Sequence, residues 1–354
     1  MNRAAPPAGK KTSRPRPPLW RRITVRVAIG LALLVLVPVV TAGSALRAAY
    51  AGSPADDAVT RGRDAVWLGH AWVDGRRGPA DLAALKRRLA GTGIRDLYVH
   101  AGPLEHDGTL PADVYRGAGR FLDAVHRELP GVRVQAWLGD KVTDRAGGPG
   151  LYLPSAPVRE AVVESARQVL RAGFEGLHLD VEPVPSDDRD FLALLDSLHT
   201  AVRSQGGVLS VAAQQIDPLP ALHRAARTLG SKKWWTQRYF AQVARRTDQI
   251  AVMSYDTALP AETLYGGYVA RQTALALQVT PRRTDLLMGL PFYHTDDWGH
   301  QSRAETAAAA VRGARLGLSR QDRHRERFGV ALYVDFAATE ADWRAYRGGW
   351  GTRG

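Results

Sequence analysis

The sequence predicts an α/β chain whose main body closes into a parallel (β/α)8 barrel, preceded by one N-terminal apolar helix able to span a membrane. Three observations predict it. From residue 63 onward, eight short apolar runs alternate with longer segments of helical periodicity. Residues 63–346 supply the roughly 250 positions that such a barrel needs. No glycine-rich phosphate turn follows the first run, which weighs against the alternative, a doubly wound open sheet.

The elements follow in chain order. Residues 1–26 carry eight Lys and Arg and no acid, so this basic tail holds eight of the chain's +13 net charges. The remaining five are ordinary for a barrel of this size, and a nucleic-acid partner is not expected. Val27 to Leu46 contains no charged residue and is long enough to cross a hydrocarbon core. Pro38 inside it is tolerable in a membrane helix. The basic flank stays cytoplasmic by the positive-inside rule, which puts everything after Arg47 outside. Residues 27–46 therefore read as a transmembrane anchor, with the C-terminal domain outside the cell membrane. A cleaved signal peptide, giving a secreted protein, is the competing reading. Ala49-Tyr50-Ala51 offers a small-residue step for it, but the apolar run exceeds the usual signal core of about 7–15 residues. Arg21-Arg22 fits a twin-arginine export signal poorly. Residues 47–62 read as a stalk.

The eight expected strands are 65–72, 96–102, 132–139, 176–182, 208–215, 250–256, 285–293 and 329–336. Segments 81–90, 158–173, 190–204 and 305–318 have apolar spacing near 3.6 and read as helices. Residues 347–354 read as a C-terminal tail. In such a barrel the chemistry sits at the C-terminal ends of the strands. That rule directs attention to Trp72, His100, Asp140, Glu182, Gln214, Gln215, Tyr255, Asp256, Tyr293, His294 and Asp335.

The fourth run, Gly176 to Glu182, is the most informative. Side chains alternate faces along a strand. Leu177, Leu179 and Val181 should pack on the helices, while His178, Asp180 and Glu182 face the barrel interior. Buried parallel strands are usually apolar on both faces, and ionisable groups there cost desolvation energy unless paired. A polar network that only braces the barrel is one use of them; an active site is the other. Glu182, nearest the strand end, would have its pKa raised by apolar walls and could serve as a general acid. Asp180 lies two residues below on the same face, roughly 6.6 Å along the strand, placed to orient a substrate group.

This segment resembles the family 18 glycoside hydrolases, the chitinases and their relatives. Their fourth strand carries Asp-x-x-Asp-x-Asp-x-Glu, and here the frame reads Glu175-x-x-His178-x-Asp180-x-Glu182. Met253-Ser254-Tyr255-Asp256 resembles the family's Met-x-Tyr-Asp at the sixth strand. Gly289-Leu290-Pro291-Phe292-Tyr293 resembles its Gly-Leu-Pro-Phe-Tyr at the seventh. Val208 to Ala213 fits the fifth strand, and Gly329 to Asp335 the eighth, with Tyr333 where the family usually has Trp. The resemblance covers most of residues 63–346 and implies a chitinase-like TIM barrel.

The resemblance also implies a substrate-assisted retaining hydrolysis of a polymer containing N-acetylglucosamine. Glu182 would protonate the leaving oxygen, Asp180 would hold the acetamide N–H, and Tyr255 would bond the acetamide from the opposite wall. Asp256 would support the sugar, with Tyr333 as its aromatic floor. His178, Gln214, Tyr293 and Trp298 complete the expected substrate-binding set. Glu175 replaces the family's first Asp at what should be the buried start of the strand. His178 replaces the middle Asp, where a neutral imidazole could donate to Asp180 and a charged one would lower both neighbouring carboxyls. Peptidoglycan, an N-acetylated surface polysaccharide and chitin are all candidate substrates. Two other readings stay open: a non-catalytic carbohydrate-binding protein, or a glycosidase pairing Glu182 with Asp256 or Asp335.

Only one helix fits between the seventh and eighth strands, so an open groove is expected, with Trp67, Trp72, Trp137 and Trp298 as candidates to line it. Other chemistries find little support. The chain has no Cys, which excludes a disulfide framework, thiolate metal sites and a Cys nucleophile. No close His spacing marks a metal site, and no cofactor is expected. Ser254 lacks a nucleophile elbow. Gly147-Gly148-Pro149-Gly150 reads as a loop, and Lys232-Lys233-Trp234-Trp235 as a solvated helix entrance rather than a nucleic-acid patch.

Overall fold

The computed structural model describes residues 19–219, 228 and 232–351. Its two units are residues 1–45 and 46–354. Most of the expected basic tail lies outside the described residues. Helix α1 (Leu19–Tyr50) runs for 32 residues through Pro38. It is long and apolar enough to cross a membrane. Leu34, Val37, Val39 and Val40 on it are all more than half exposed, a surface suited to hydrocarbon.

In the second unit, eight strands close into a parallel barrel: β1 (Asp64–Leu68), β2 (Ile94–Pro103), β3 (Arg133–Lys141), β4 (Gly176–Glu182), β5 (Val208–Ala213), β8 (Gln249–Val252), β9 (Asp285–Pro291) and β10 (Phe328–Tyr333), with β10 returning onto β1. All eight expected strands are present. Five end sooner than the apolar runs do, β9 at Pro291 and β10 at Tyr333 among them. After β1 the chain makes a 3-10 turn at His70–Trp72. The run 208–215 breaks after Ala213, and Gln215–Ile216 (β6) pairs with Trp234–Trp235 (β7) outside the barrel. The Lys232–Trp235 segment is thus part strand, and its helix starts only at Gln237. The run 250–256 leaves the sheet after Val252, which frees Tyr255 and Asp256 to stand at the rim.

Helices α2 (Pro79–Leu89), α3 (Ala118–Glu128), α4 (Ala156–Arg171), α5 (Arg189–Ser204), α6 (Gln237–Arg245), α7 (Glu262–Val279), α8 (Ala307–Gln321) and α9 (Glu340–Trp350) surround the barrel. Leu177, Leu179 and Val181 join the large apolar layer between strands and helices. The smaller interior is filled by Ala65, Trp67, Tyr98, Ala251, Leu287, Ala331 and Val334, with half-buried Trp137 and Tyr333 above them. At the opposite end, buried Asp96 accepts from Arg133, Gln135 and Gln249 at 2.6–3.0 Å, closing the barrel floor with a polar cluster.

Two boundaries differ from the sequence reading. The body of the domain extends past residue 346. Trp350 is fully buried, and its Nε1 donates to buried Asp64 at 2.9 and 3.0 Å. The segment expected as a stalk is packed rather than free. Arg312 and Arg315 donate to the backbone carbonyls of Tyr50, Gly52, Ala55 and Ala58. Glycines make this approach feasible: a Cβ on Gly267 of α7 would meet the carbonyl oxygen of Leu46 at 2.0 Å.

Candidate active site

The pleat of β4 determines the site. Because its odd-numbered residues are apolar and pack outward, His178, Asp180 and Glu182 all point inward. Asp180 Oδ2 accepts from Trp137 Nε1 at 2.9 Å. Its other oxygen, Oδ1, is buried with no hydrogen-bond partner, an acceptor aimed at the cleft. Glu182 is exposed at the cleft mouth yet flanked by protein on most sides. Burial pushes Asp180 up to about 6, against the lowering effect of the Trp137 bond. Desolvation and then the negative charges of Asp180 and Asp256 push Glu182 up to about 7. Two carboxyls on one face, each making the other harder to ionise, titrate as a pair.

A cleft of about 470 Å³ opens above them. Its lining includes Asp180, Glu182, Gln214, Tyr255, Asp256, Trp298 and Tyr333. Tyr255 is buried, and its ring stacks on Tyr333 at 5.2 Å with 18° between planes. Gln215 Nε2 holds the Tyr255 carbonyl at 2.6 Å. Asp256 adopts φ +57°, a left-handed conformation that Asp tolerates better than most residues. Tyr293 donates its hydroxyl to Asp256 Oδ1. His300 Nδ1 lies 3.2 Å from the same oxygen and 3.5 Å from Glu305 Oε2. Despite desolvation, the nearby His300 imidazole and the Tyr293 hydroxyl leave Asp256 below the usual carboxylate value. Gln214 Nε2 donates to the Lys232 carbonyl at 2.9 Å. Trp298 is 93% exposed.

The structure thus gathers Glu182, Asp180, Tyr255, Asp256, Tyr333, Gln214 and Trp298 around one cleft. Tyr293 stands behind Asp256. His178 departs from its expected substrate-binding place. It is fully buried below the cleft, its Nε2 accepts from Trp67 Nε1 at 3.0 Å and its Nδ1 meets Ser210 Oγ at 2.8 Å. Both nitrogens are therefore used away from Asp180, and burial drops its pKa to about 3, leaving it neutral. Its ring stacks on Tyr98 at 3.8 Å. The tautomer follows from Trp67, which can only donate.

Other expectations are corrected as well. Trp67 is interior packing at 1% exposure. Trp72 faces α3, against Phe121. Asp335 accepts from Gly69 N and Trp72 Nε1 at 3.1 and 3.2 Å, so it is no second catalytic carboxylate. Glu175 lies before β4, partly exposed, and accepts from Val134 N at 2.8 Å. A larger cavity of about 1010 Å³ lies between α2 and α3, floored by Trp72, Leu82 and Phe121. It is away from the strand ends and holds none of the β4 acids.

Sequence reasoning missed Lys232, Lys233 and Asp297 in the lining, and His300 and Glu305 behind it. Asp297 adjoins Trp298, which was a usable hint; His300 lies in a loop without periodicity, and Glu305, expected to open the 305–318 helix, instead stands just ahead of α8. Asp256, His300 and Glu305 are also the one group among the described residues whose ligand-type atoms lie within 4.8 Å of one another. Glu305 Oε1 is already taken by Thr257 and Ala258 N–H groups at 2.9 and 3.0 Å, and Asp256 Oδ1 by Tyr293. The contacts between them suit an ion-paired triad.

No family model matches the sequence, and no curated protein matches it. Solved structures do share its architecture. A class V chitinase from Pseudomonas fluorescens is 16% identical, with 81% of this chain and 98% of that one covered and a TM-score of 0.53. The spore cortex-lytic enzyme SleL of Bacillus megaterium is 12% identical, covering 82% and 75% at a TM-score of 0.58. A plant class V chitinase mutant from Cycas revoluta, solved with (GlcNAc)3, is 16% identical, covering 81% and 99% at 0.54. The chain is folded as a chitinase-like (β/α)8 barrel.

Proposed function

We propose that this chain is a glycoside hydrolase that cleaves a polymer containing N-acetylglucosamine, using the substrate's own acetamide as nucleophile. The observation that carries the reading is the β4 pair: Asp180 and Glu182 on one face, both raised toward neutrality, opening into one cleft with Tyr255, Asp256 and Tyr333. The resemblance of the β4, β8 and β9 motifs to family 18 supports it, and so does the fold shared with chitinases and a cortex-lytic enzyme.

In this mechanism Glu182, held protonated near neutral pH, gives its proton to the glycosidic oxygen as the bond to the anomeric carbon breaks. The acetamide carbonyl oxygen attacks that carbon and forms an oxazolinium-like intermediate. The unpartnered Oδ1 of Asp180 accepts the acetamide N–H and balances the positive charge that develops there. Trp137 keeps Asp180 oriented. Glu182, now ionised, removes a proton from water, which attacks the same carbon and returns the acetamide. Tyr255 borders the acetamide, and Tyr333 stacked against it forms the floor. Trp298 offers an exposed ring for a further sugar.

Export fits this role. The basic flank and the apolar α1 support a membrane-anchored protein with its barrel outside the cytoplasm, where a wall or surface polymer is reached.

The test uses the full chain in detergent. Wild type should release sugar from purified peptidoglycan, chitin or both, and not from the deacetylated polymers. Glu182→Gln should lower turnover by about 10²–10⁴-fold with binding retained. Equal turnover of acetylated and deacetylated polymer would overturn the acetamide mechanism. Binding without turnover by wild type would make the protein a lectin on this scaffold.

A further inference from the structure

We infer that His300 is a positioning residue: as an imidazolium it ties the cleft carboxylate Asp256 to the buried carboxylate Glu305 and so holds the cleft wall in shape. Its function as a wall for sugar rests on the reading above; the ion-paired triad itself does not.

The geometry carries the inference. His300 is fully buried and Glu305 is 2% exposed, whereas Asp256 is exposed in the cleft. His300 Nδ1 sits between the two carboxylates, 3.2 Å from Asp256 and 3.5 Å from Glu305. Glu305 uses its other oxygen to accept from Thr257 N, Thr257 Oγ1 and Ala258 N at 2.9–3.1 Å. The residues just after Asp256 are therefore stapled by Glu305, while Asp256 itself accepts from Tyr293 and sits at ion-pair distance from His300. Together these fix the left-handed turn at Asp256 and Ala258, whose φ values are both +57°. The His300 loop is rigid in turn: Asp297 Oδ1 accepts from Gly299 N and His300 N at 2.6 and 2.8 Å. Two carboxylates facing each other, one of them buried, repel unless a cation stands between them, and the imidazole stands there.

The groups facing this triad are Tyr293, whose ring lies 4.3 Å from the His300 ring, Lys233, which donates to the Asp256 carbonyl, and buried Tyr265 on α7. Asp296 faces it from the His300 loop. Burial alone would lower His300, but Asp256 and Glu305 outweigh it and raise the imidazole to about 9. The group is raised, so its contribution is complete below the free-histidine value near 6.5 and is lost as pH climbs through about 9.

The experiment labels the histidines of the full chain with ¹³C, in detergent, and follows each ring by NMR against pH. His300→Gln identifies the signal. One imidazole should remain protonated through pH 8, and Asp256→Asn, a change at an exposed side chain, should lower its midpoint by at least tenfold in proton affinity. A His300 ring neutral at pH 7, or a midpoint indifferent to Asp256→Asn, would overturn the inference. So would one equivalent of divalent metal on the purified chain that is lost in Glu305→Gln. Binding of an N-acetylglucosamine tetramer, read by Trp fluorescence in the Glu182→Gln background, supplies the second readout. Adding His300→Gln should weaken it about tenfold at pH 7 and abolish its loss between pH 7 and 9.5; unchanged binding would overturn the positioning role. Absence of tetramer binding in every variant would sink the sugar reading alone, since the NMR titration still decides the triad.

Discussion

Trp67 Nε1 donates to His178 Nε2 at 3.0 Å, deep beneath the cleft, and that single bond decides how the barrel tolerates a histidine on β4. The indole can only donate, so the imidazole must accept on Nε2 and keep its proton on Nδ1 toward Ser210. Protonating the ring would set two donors against each other in a fully buried site.

The fold should therefore weaken in acid through this residue. Free histidine gains its proton near pH 6.5, while His178 resists until about 3. Stability from this group is complete above pH 6.5 and declines as pH falls through the interval. At pH 4.5 the loss should be about 2–3 kcal/mol. His178→Gln should lower Tm at pH 7 but flatten the acid slope; thermal denaturation at pH 7 and 4.5 checks both. An unchanged slope would remove this account of His178.

The alkaline limb of kcat/KM should belong to Glu182. Its proton is lost as pH rises through about 7, and activity should fall with it. Asp180→Asn removes the nearest negative charge, so the limb should move to lower pH even as the rate drops. A limb that stays in place would separate Glu182 from the acid role.

The same pair should cost stability in base. Both carboxyls hold protons more tightly in the folded chain than in the unfolded one, so the folded state loses ground as pH rises through about 4 to 7. Asp180→Asn should raise Tm at pH 8 by a few degrees and leave it nearly unchanged at pH 4. A scan of Tm against pH for the two proteins decides it.

Trp298→Ala should separate binding from folding. The ring is 93% exposed, so Tm should shift by less than about 0.5 kcal/mol equivalent. Binding of longer oligosaccharides should weaken about tenfold, with short ones less affected. Calorimetric titration with oligomers of increasing length measures the difference.

Removing residues 347–354 should destabilise the barrel by about 3–5 kcal/mol. Trp350 is buried, and its loss leaves Asp64 with three remaining donors, Thr60, Val330 and Tyr346, beside a cavity. Soluble yield and Tm of the truncated chain provide the check.

The eight barrel strands were legible in the sequence because each is an apolar run of strand length, and the inward face of β4 was legible because alternation along a strand is local geometry. The expected positions of Asp180, Glu182, Tyr255 and Asp256 at one cleft follow from that periodicity plus the rule that function gathers at strand ends. What the tertiary structure decided is which polar groups meet. His178 shares a face with Asp180, yet its ring nitrogens are taken by Trp67 and Ser210, 111 and 32 residues away. Asp335 lies just past β10 as an acid at a strand end would, but Gly69 and Trp72 capture it. His300 comes from a loop with no period at all, Glu305 stands just ahead of α8, and Trp350 lies beyond the last apolar run. Hydrogen bonds and ion pairs act over about 3 Å, and sequence spacing does not measure that distance between elements.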